Sequence, residues 1–240
     1  MIEPLDILAF GAHPDDVELS AGGTLLRHRA MGKTIGIVDL TEGELGTRGT
    51  VETRYTEAKK ASETLGLTFR TNLQMSDGFF QHDKSSLIKI IEVLRAYRPK
   101  IVLANAISDR HPDHGRAAKL VSEACFLSGL TKIKTSFNGI NQEAHRPQAV
   151  YHYIQDRYQQ PDFVVDITPF LEQKMAAIAA YKTQFWNPES SEPKTPISSK
   201  EFLESVRASM QVNGRSIGVA YAEGFTVERQ IGVSNLFDLT

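Results

Sequence analysis

Two short segments hold residues able to do chemistry together. AHPDDVELSAGG places His13, Asp15 and Asp16 within four positions, and SDRHPDHGRA places His111, Asp113 and His114 in the same order. Each reads histidine, proline, aspartate and then a further ligand-type residue three places after the first histidine. Where a helical turn starts at such a run, residues i and i+3 share one side. Proline suits that first turn because its missing N–H is not needed there. Two histidines and a carboxylate with an open position make a catalytic zinc set, and the same donors also serve non-haem iron. A metal so held lowers the pKa of its water to about 7 and polarises a carbonyl. A spare carboxylate beside it can take a proton from water, and a spare histidine can stabilise an oxyanion or protonate a leaving amine. The i,i+3 spacing selects Asp16 over Asp15 as the partner of His13. It leaves open which of His111 and His114 is the second histidine ligand. Either segment alone would read as an acid-rich helix cap; two at equivalent places read as one metal site.

Those places are set by the elements around them. Short apolar runs alternate with helical patterns: strands at 5–12, 33–41, 67–75 and 100–106, and helices at 17–32, 51–66, 85–99 and 113–130. This rhythm predicts an α/β, Rossmann-like fold, a mostly parallel sheet flanked by helices. Sites in such sheets lie beyond the carboxyl ends of the strands. There the sequence puts His13, Asp15 and Asp16 after the first strand and the loop TEGELGTRGT after the second. Asp77 follows the third, and SDRHPDH follows the fourth. Four polar clusters on one edge outweigh any one of them. The second half is less regular. Strands are expected at 148–156 and 162–168, and helices at 169–185 and 201–218. The Pro- and Ser-rich NPESSEPKTPISSK reads as a loop and a candidate lid.

Composition bounds the rest. The 240 residues, 41% hydrophobic, fit one domain over 1–240. A net charge of −2 argues against a nucleic-acid footprint or a polybasic membrane anchor. The single cysteine, Cys125, excludes an intrachain disulfide and sits in a helical pattern where a buried structural thiol is expected. MIEPLDILAF has no basic leader region, and no run approaches the roughly 20 apolar residues of a spanning helix. The expectation is a cytoplasmic protein.

The two segments also resemble the signature motifs of the LmbE-like, or PIG-L-type, zinc deacetylases. These remove acetyl from N-acetylglucosamine conjugates on a Rossmann-like fold. The resemblance implies His13, Asp16 and His114 as zinc ligands and Asp15 as general base. It implies His111 as the group that stabilises the oxyanion and protonates the leaving amine, with Asp113 orienting that histidine. TEGELGTRGT followed by TRYTEAKKAS resembles the bacillithiol-biosynthesis branch, which acts on N-acetylglucosaminyl-malate. Forked guanidinium groups suit the two carboxylates of malate. Arg48, Arg54, Asp77 and Arg110 are therefore the expected substrate-binding residues, with Arg54 and Asp77 at positions that hold the sugar. The resemblance further implies a homo-oligomer and a small-molecule sugar conjugate as partner.

Other residues have plainer readings. His28, His82 and His145 read as surface or solvated groups, and His152, in a strand, has a pocket role as its minor reading. SAGGTLL lacks both the G-x-G-x-x-G and the P-loop lysine, so its glycines are expected to let a helix pack closely. Competing functions are a non-catalytic sugar-binding protein, which a missing ligand or base would have favoured, and an iron-dependent oxidoreductase. Within the deacetylase reading, another N-acetylglucosaminide or a chitin fragment competes with the malate conjugate.

Overall fold

The computed structural model describes residues 3–239; Met1 and Ile2, part of the leader reading above, lie outside them. The first half alternates as expected: β1 (Ile7–Gly11), α1 (Asp16–Ala30), β2 (Ile35–Thr41), α2 (Val51–Leu65), β3 (Phe69–Met75), α3 (Lys84–Tyr97), β4 (Ile101–Ala104) and α4 (Pro112–Leu127). A two-stranded hairpin, β5 (Ser136–Phe137) and β6 (Ile140–Asn141), leads to β7 (Ala149–Tyr153) and β8 (Phe163–Asp166). Then come α5 (Leu171–Ala179), α6 (Lys200–Ser216) and β9 (Ala222–Val227). Seven strands form one sheet in the order β3-β2-β1-β4-β7-β9-β8. The first five in that order run parallel, and β9 lies antiparallel between β7 and β8.

Helices cover both faces, so the central strands are buried on both sides and read as continuous apolar runs. Leu8 and Phe10 of β1 pack into a core with Ile90, Leu94, Leu120 and Val121 from α3 and α4. Ile7 and Ala9 face the opposite core, with Val17 and Leu25 of α1 and Ala177 of α5. Local chemistry fixes the helix ends. Thr50 and Thr53 form a capping box at α2, and Gly66 closes that helix in the left-handed region. Asp83 caps α3, His111 caps α4 ahead of Pro112, and Ser199 caps α6.

The structure departs from expectation in three places. The helix expected over 169–185 is a 3-10 turn at Thr168–Phe170 followed by α5 alone. The β5–β6 hairpin and β9 carry no clear sequence signal. β9, AEGFTV, contains a glycine and a glutamate that strand propensity disfavours; pairing on both edges overrides it. Cys125 is buried, and burial pushes its thiol well above the ordinary range, as a structural thiol requires. Among the described residues no helix is long and apolar enough to cross a membrane.

Candidate active site

The loop after β1 turns back sharply on its strand. A Cβ at Gly11 would stand 2.9 Å from the His13 carbonyl oxygen and 3.2 Å from the Asp16 Cβ, so glycine is needed for the fold-back. Asp15, at the start of α1, has φ +121°, a strained conformation for a non-glycine residue and one that collects at functional sites. This turn presents His13, Asp15 and Asp16 together at the carboxyl edge of the sheet.

Asp16 is the hub. Its Oδ2 lies 3.7 Å from His13 Nδ1, and its Oδ1 lies 3.1 Å from His114 Nε2. Three further donors fix the carboxylate: the His13 backbone N–H at 3.0 Å, Asn105 Nδ2 at 3.0 Å and Gln155 Nε2 at 3.1 Å. The far nitrogens of both imidazoles are held by other carboxylates. His13 Nε2 lies 2.9 Å from Asp77, and His114 Nδ1 lies 2.5 Å from Asp109. Those bonds fix the tautomers so that His13 Nδ1 and His114 Nε2, the nitrogens beside Asp16, are left free to ligate. One donor atom from each residue lies within 4.8 Å of the others in the sets His13–His111–His114 and His13–Asp77–Asp113, whereas Asp16 reaches His13 and His114 through different oxygens.

The electrostatics fit a cation. Burial opposes charge on His13, but Asp113 and Asp77 outweigh it and raise the group to about 10. At His114 burial is outweighed by Asp16 and Asp109, which raise it to about 9. Burial likewise opposes charge on Asp16, yet His114 and His13 hold it far below the usual carboxylate range. The cluster thus draws positive charge to one point. A divalent metal supplies that charge with both histidines neutral. The donor set present, two imidazoles and a carboxylate with supports behind them, fits it.

Asp15 stands beside this hub. Burial pushes its carboxyl up to about 7, against Arg54, whose Nη1 sits 2.9 Å from Asp15 Oδ2 and 2.6 Å from the Pro14 carbonyl oxygen. His111 is half-buried, and its Nδ1 accepts the Asp113 backbone N–H at 3.3 Å. The neutral ring therefore carries its proton on Nε2. Burial and the neighbouring His13 and His114 hold it below its ordinary value. The His111 ring centroid is 4.7 Å from that of His13 and 5.2 Å from that of His114.

A cavity of about 620 Å³ opens over these groups. His13, Asp15, Asp16, Asp77, His111 and His114 line it. Arg54 and Arg110 line it too, and α6 and residues 195–197 form its far wall.

Two expectations are corrected. Asp113 does not orient His111 with its side chain. Its carboxylate takes the Gly78 N–H at 2.8 Å and Arg116 Nη1 at 2.6 Å, and it approaches His13 at 3.5 Å, so only its backbone N–H serves His111. Arg48 is not among the cavity-lining residues. It is buried under the 187–199 loop, where it bonds Ser190 Oγ and lies 3.5 Å from Glu192. A short arginine-bearing loop can point either way, and the loop's serine and glutamate decide it. Asp77 and Arg54 are in place, but both already grip the centre. Arg110 Nε bonds Asp156 at 2.6 Å at the rim.

Asp109, Asn105, Gln155 and Asp156 were not singled out from the sequence. Their signal was position, since each sits at the carboxyl end of a strand. His152 is buried behind the site, bonding the Asn105 carbonyl and Glu228, and does not line the cavity.

Comparison with known proteins agrees. Residues 8–125 match the model of the PIG-L family, described as GlcNAc-PI de-N-acetylase. The diacetylchitobiose deacetylase of Thermococcus kodakarensis is 30% identical over 189 residues, 75% of this chain and 70% of that protein. The conserved protein TT1542 from Thermus thermophilus superposes with a TM-score of 0.84 at 37% identity, covering 97% of this chain and 98% of that one. The 4-oxalmesaconate hydratase of Pseudomonas putida is 26% identical over 71% of this chain and 70% of its own length. The fold and the buried histidine–carboxylate site define a metal-dependent enzyme of the Rossmann-like class. The chain belongs to the PIG-L, or LmbE-like, family of N-deacetylases.

Proposed function

We propose that this protein hydrolyses the acetamide of an N-acetylglucosamine conjugate, releasing acetate and the free amine, with zinc held by His13, Asp16 and His114. The observation that carries this reading is Asp16 set between two imidazoles whose far nitrogens are each fixed by a carboxylate. The bound metal supplies Lewis acidity, making water more acidic and the acetyl carbonyl more electrophilic; iron(II) suits the same donors.

The chain's own groups do the proton work. Asp15 accepts a proton from the attacking water; a carboxyl raised by burial matches that task near neutral pH. Arg54 keeps Asp15 aimed. His111, with its proton on Nε2, hydrogen-bonds the developing oxyanion, and Asp15 hands the proton it took from water to the leaving amine as the C–N bond breaks, which restores its carboxylate. Asp77, in the cavity wall, holds the sugar. Arg110 reads the aglycone: Asp156 occupies only its Nε, and its two terminal nitrogens have no hydrogen-bond partner among the described residues. A guanidinium with that edge open suits a carboxylate, which supports the malate conjugate over neutral aglycones.

The test is acetate release by zinc-loaded protein from N-acetylglucosaminyl-malate, methyl N-acetylglucosaminide and diacetylchitobiose at equal concentrations. Preference for the malate conjugate supports both parts of the reading. Equal rates keep the deacetylase and discard the carboxylate pocket. No acetate from any substrate overturns it and directs the search to water addition, the reaction named in the hydratase relative.

A further inference from the structure

Residues 154–159, between β7 and β8, bond several separate groups around the site. Gln155 Nε2 donates to Asp16 Oδ1, while Gln155 Oε1 accepts from Asn105 Nδ2 at 3.0 Å and the Ala106 N–H at 3.1 Å. The next residue, Asp156, takes Arg110 Nε at 2.6 Å. The third, Arg157, gives its backbone N–H to Asp109 Oδ1 at 2.7 Å, and Asp109 Oδ2 holds His114 Nδ1. Two outer bonds tie the loop down: Arg157 Nη1 to Ser108 Oγ and Gln159 Nε2 to the Ser108 carbonyl.

We propose that Gln155, Asp156 and Arg157 form a single positioning bracket that sets two metal ligands, Asp16 and (through Asp109) His114, together with the aglycone-reading Arg110. The aglycone half rests on the proposed substrate, and the metal half on the proposed ligand set.

The two halves differ in kind. Asp109 is almost fully buried, with 1% side-chain exposure, and its second oxygen is already spent on the Arg157 N–H. Its bond to Nδ1 leaves Nε2 as the ligating nitrogen, and its charge raises the ring's basicity toward a metal. The Arg110–Asp156 pair is half exposed, a setting in which ion pairs add little to folding. Its effect is geometric, fixing the Nε edge so that the terminal nitrogens project as a fork. Three consecutive residues thus link metal geometry to aglycone recognition without touching the reacting atoms.

The experiment measures zinc affinity by competition with a chromophoric chelator and, separately, KM for the malate conjugate and for the methyl glycoside. Asp109→Asn and Gln155→Ala are expected to weaken zinc binding about 10- to 100-fold, and to alter the visible spectrum of the cobalt-substituted protein. Asp156→Asn is expected to keep zinc affinity and raise KM about tenfold for the malate conjugate only. Unchanged zinc affinity in both Asp109→Asn and Gln155→Ala overturns the metal half. A fall in KM for Asp156→Asn overturns the aglycone half, because Asp156 would then be a competing charge and not a guide. Loss of zinc in Asp156→Asn also counts against the proposal, since it indicates a loop that merely needs to be intact. The zinc measurements decide the metal half even if no conjugate yields acetate.

Discussion

The two ends of the sheet do different jobs. The parallel half, β1 to β4 with its helices, supplies the groups that the proposed reaction uses: His13, Asp15, Asp16, His111 and His114. The C-terminal half supplies their long-range supports. Gln155 steadies Asp16, and Tyr181 joins Glu18 and Asp39 around the buried Arg70 guanidinium. Lys174 and Glu223 grip one turn of α1, Lys174 Nζ bonding the Leu19 carbonyl while Glu223 takes the Gly23 and Thr24 N–H groups. Chemistry placed at strand ends needs only short loops. Holding those loops still requires contacts from far along the chain.

The first prediction sharpens that division and has the largest effect. His114→Ala removes a proposed ligand, so both bound metal and turnover should be lost. Asp15→Asn should keep the metal and the melting temperature but lower kcat by about 10² to 10⁴. Asparagine matches the shape of aspartate but accepts no proton from water, so a loss of rate with metal retained reports the missing base. Metal analysis beside single-substrate kinetics reads both variants. A fully active Asp15→Asn would move the base elsewhere in the cavity.

The same division explains what the sequence disclosed. Strands β1, β2 and β4 are buried on both faces and read as mostly apolar runs, and their motifs follow immediately, so local pattern was enough. The C-terminal supports are separated from what they hold by 139 residues for Gln155 and Asp16, and 200 for Glu223 and Gly23. No local periodicity encodes such a pair. Glu223 looks out of place in a strand until the backbone donors of α1 are seen beside it. Arg48 shows the reverse error: its type and loop suggested substrate, but side-chain direction depends on a partner 142 residues away. Asp113 failed for a subtler reason. A helix-capping histidine is oriented by the backbone of the next turn, which leaves the adjacent carboxylate free to serve another histidine.

A break in the support should cost stability before chemistry. Lys174 and Glu223 form an ion pair 2.6 Å long with 1% side-chain exposure on each. Removing one partner strands the other charge, so Lys174→Ala should destabilise the fold by about 3–5 kcal/mol. In urea this appears as a lower midpoint with an unchanged slope. Protein that remains folded should still bind zinc, because none of the metal ligands contacts either residue. Glycine at 23 belongs to the same device: a Cβ there would meet Ile167 at 2.8 Å, so the helix could not approach closely enough for Glu223 to reach it.

The smallest effect tests which side Arg48 serves. It joins the 47–49 segment to the 187–199 loop through Ser190 and Glu192, and the Gly49 N–H adds a 2.7 Å bond to Glu192. Thr195, Pro196 and Ile197 of that loop wall the cavity. If Arg48 is a latch, Arg48→Ala loosens that wall for every substrate. KM should then rise about three- to tenfold for the malate conjugate and the methyl glycoside alike, with kcat nearly unchanged, and proteolysis within 187–199 should quicken. If Arg48 instead bound a carboxylate, KM would rise for the malate conjugate alone and the loop would resist protease as before. The ratio of the two KM changes separates these cases where the size of either does not. A ratio near one assigns Arg48 to the supports, and with it the 187–199 loop becomes a wall held from the parallel half.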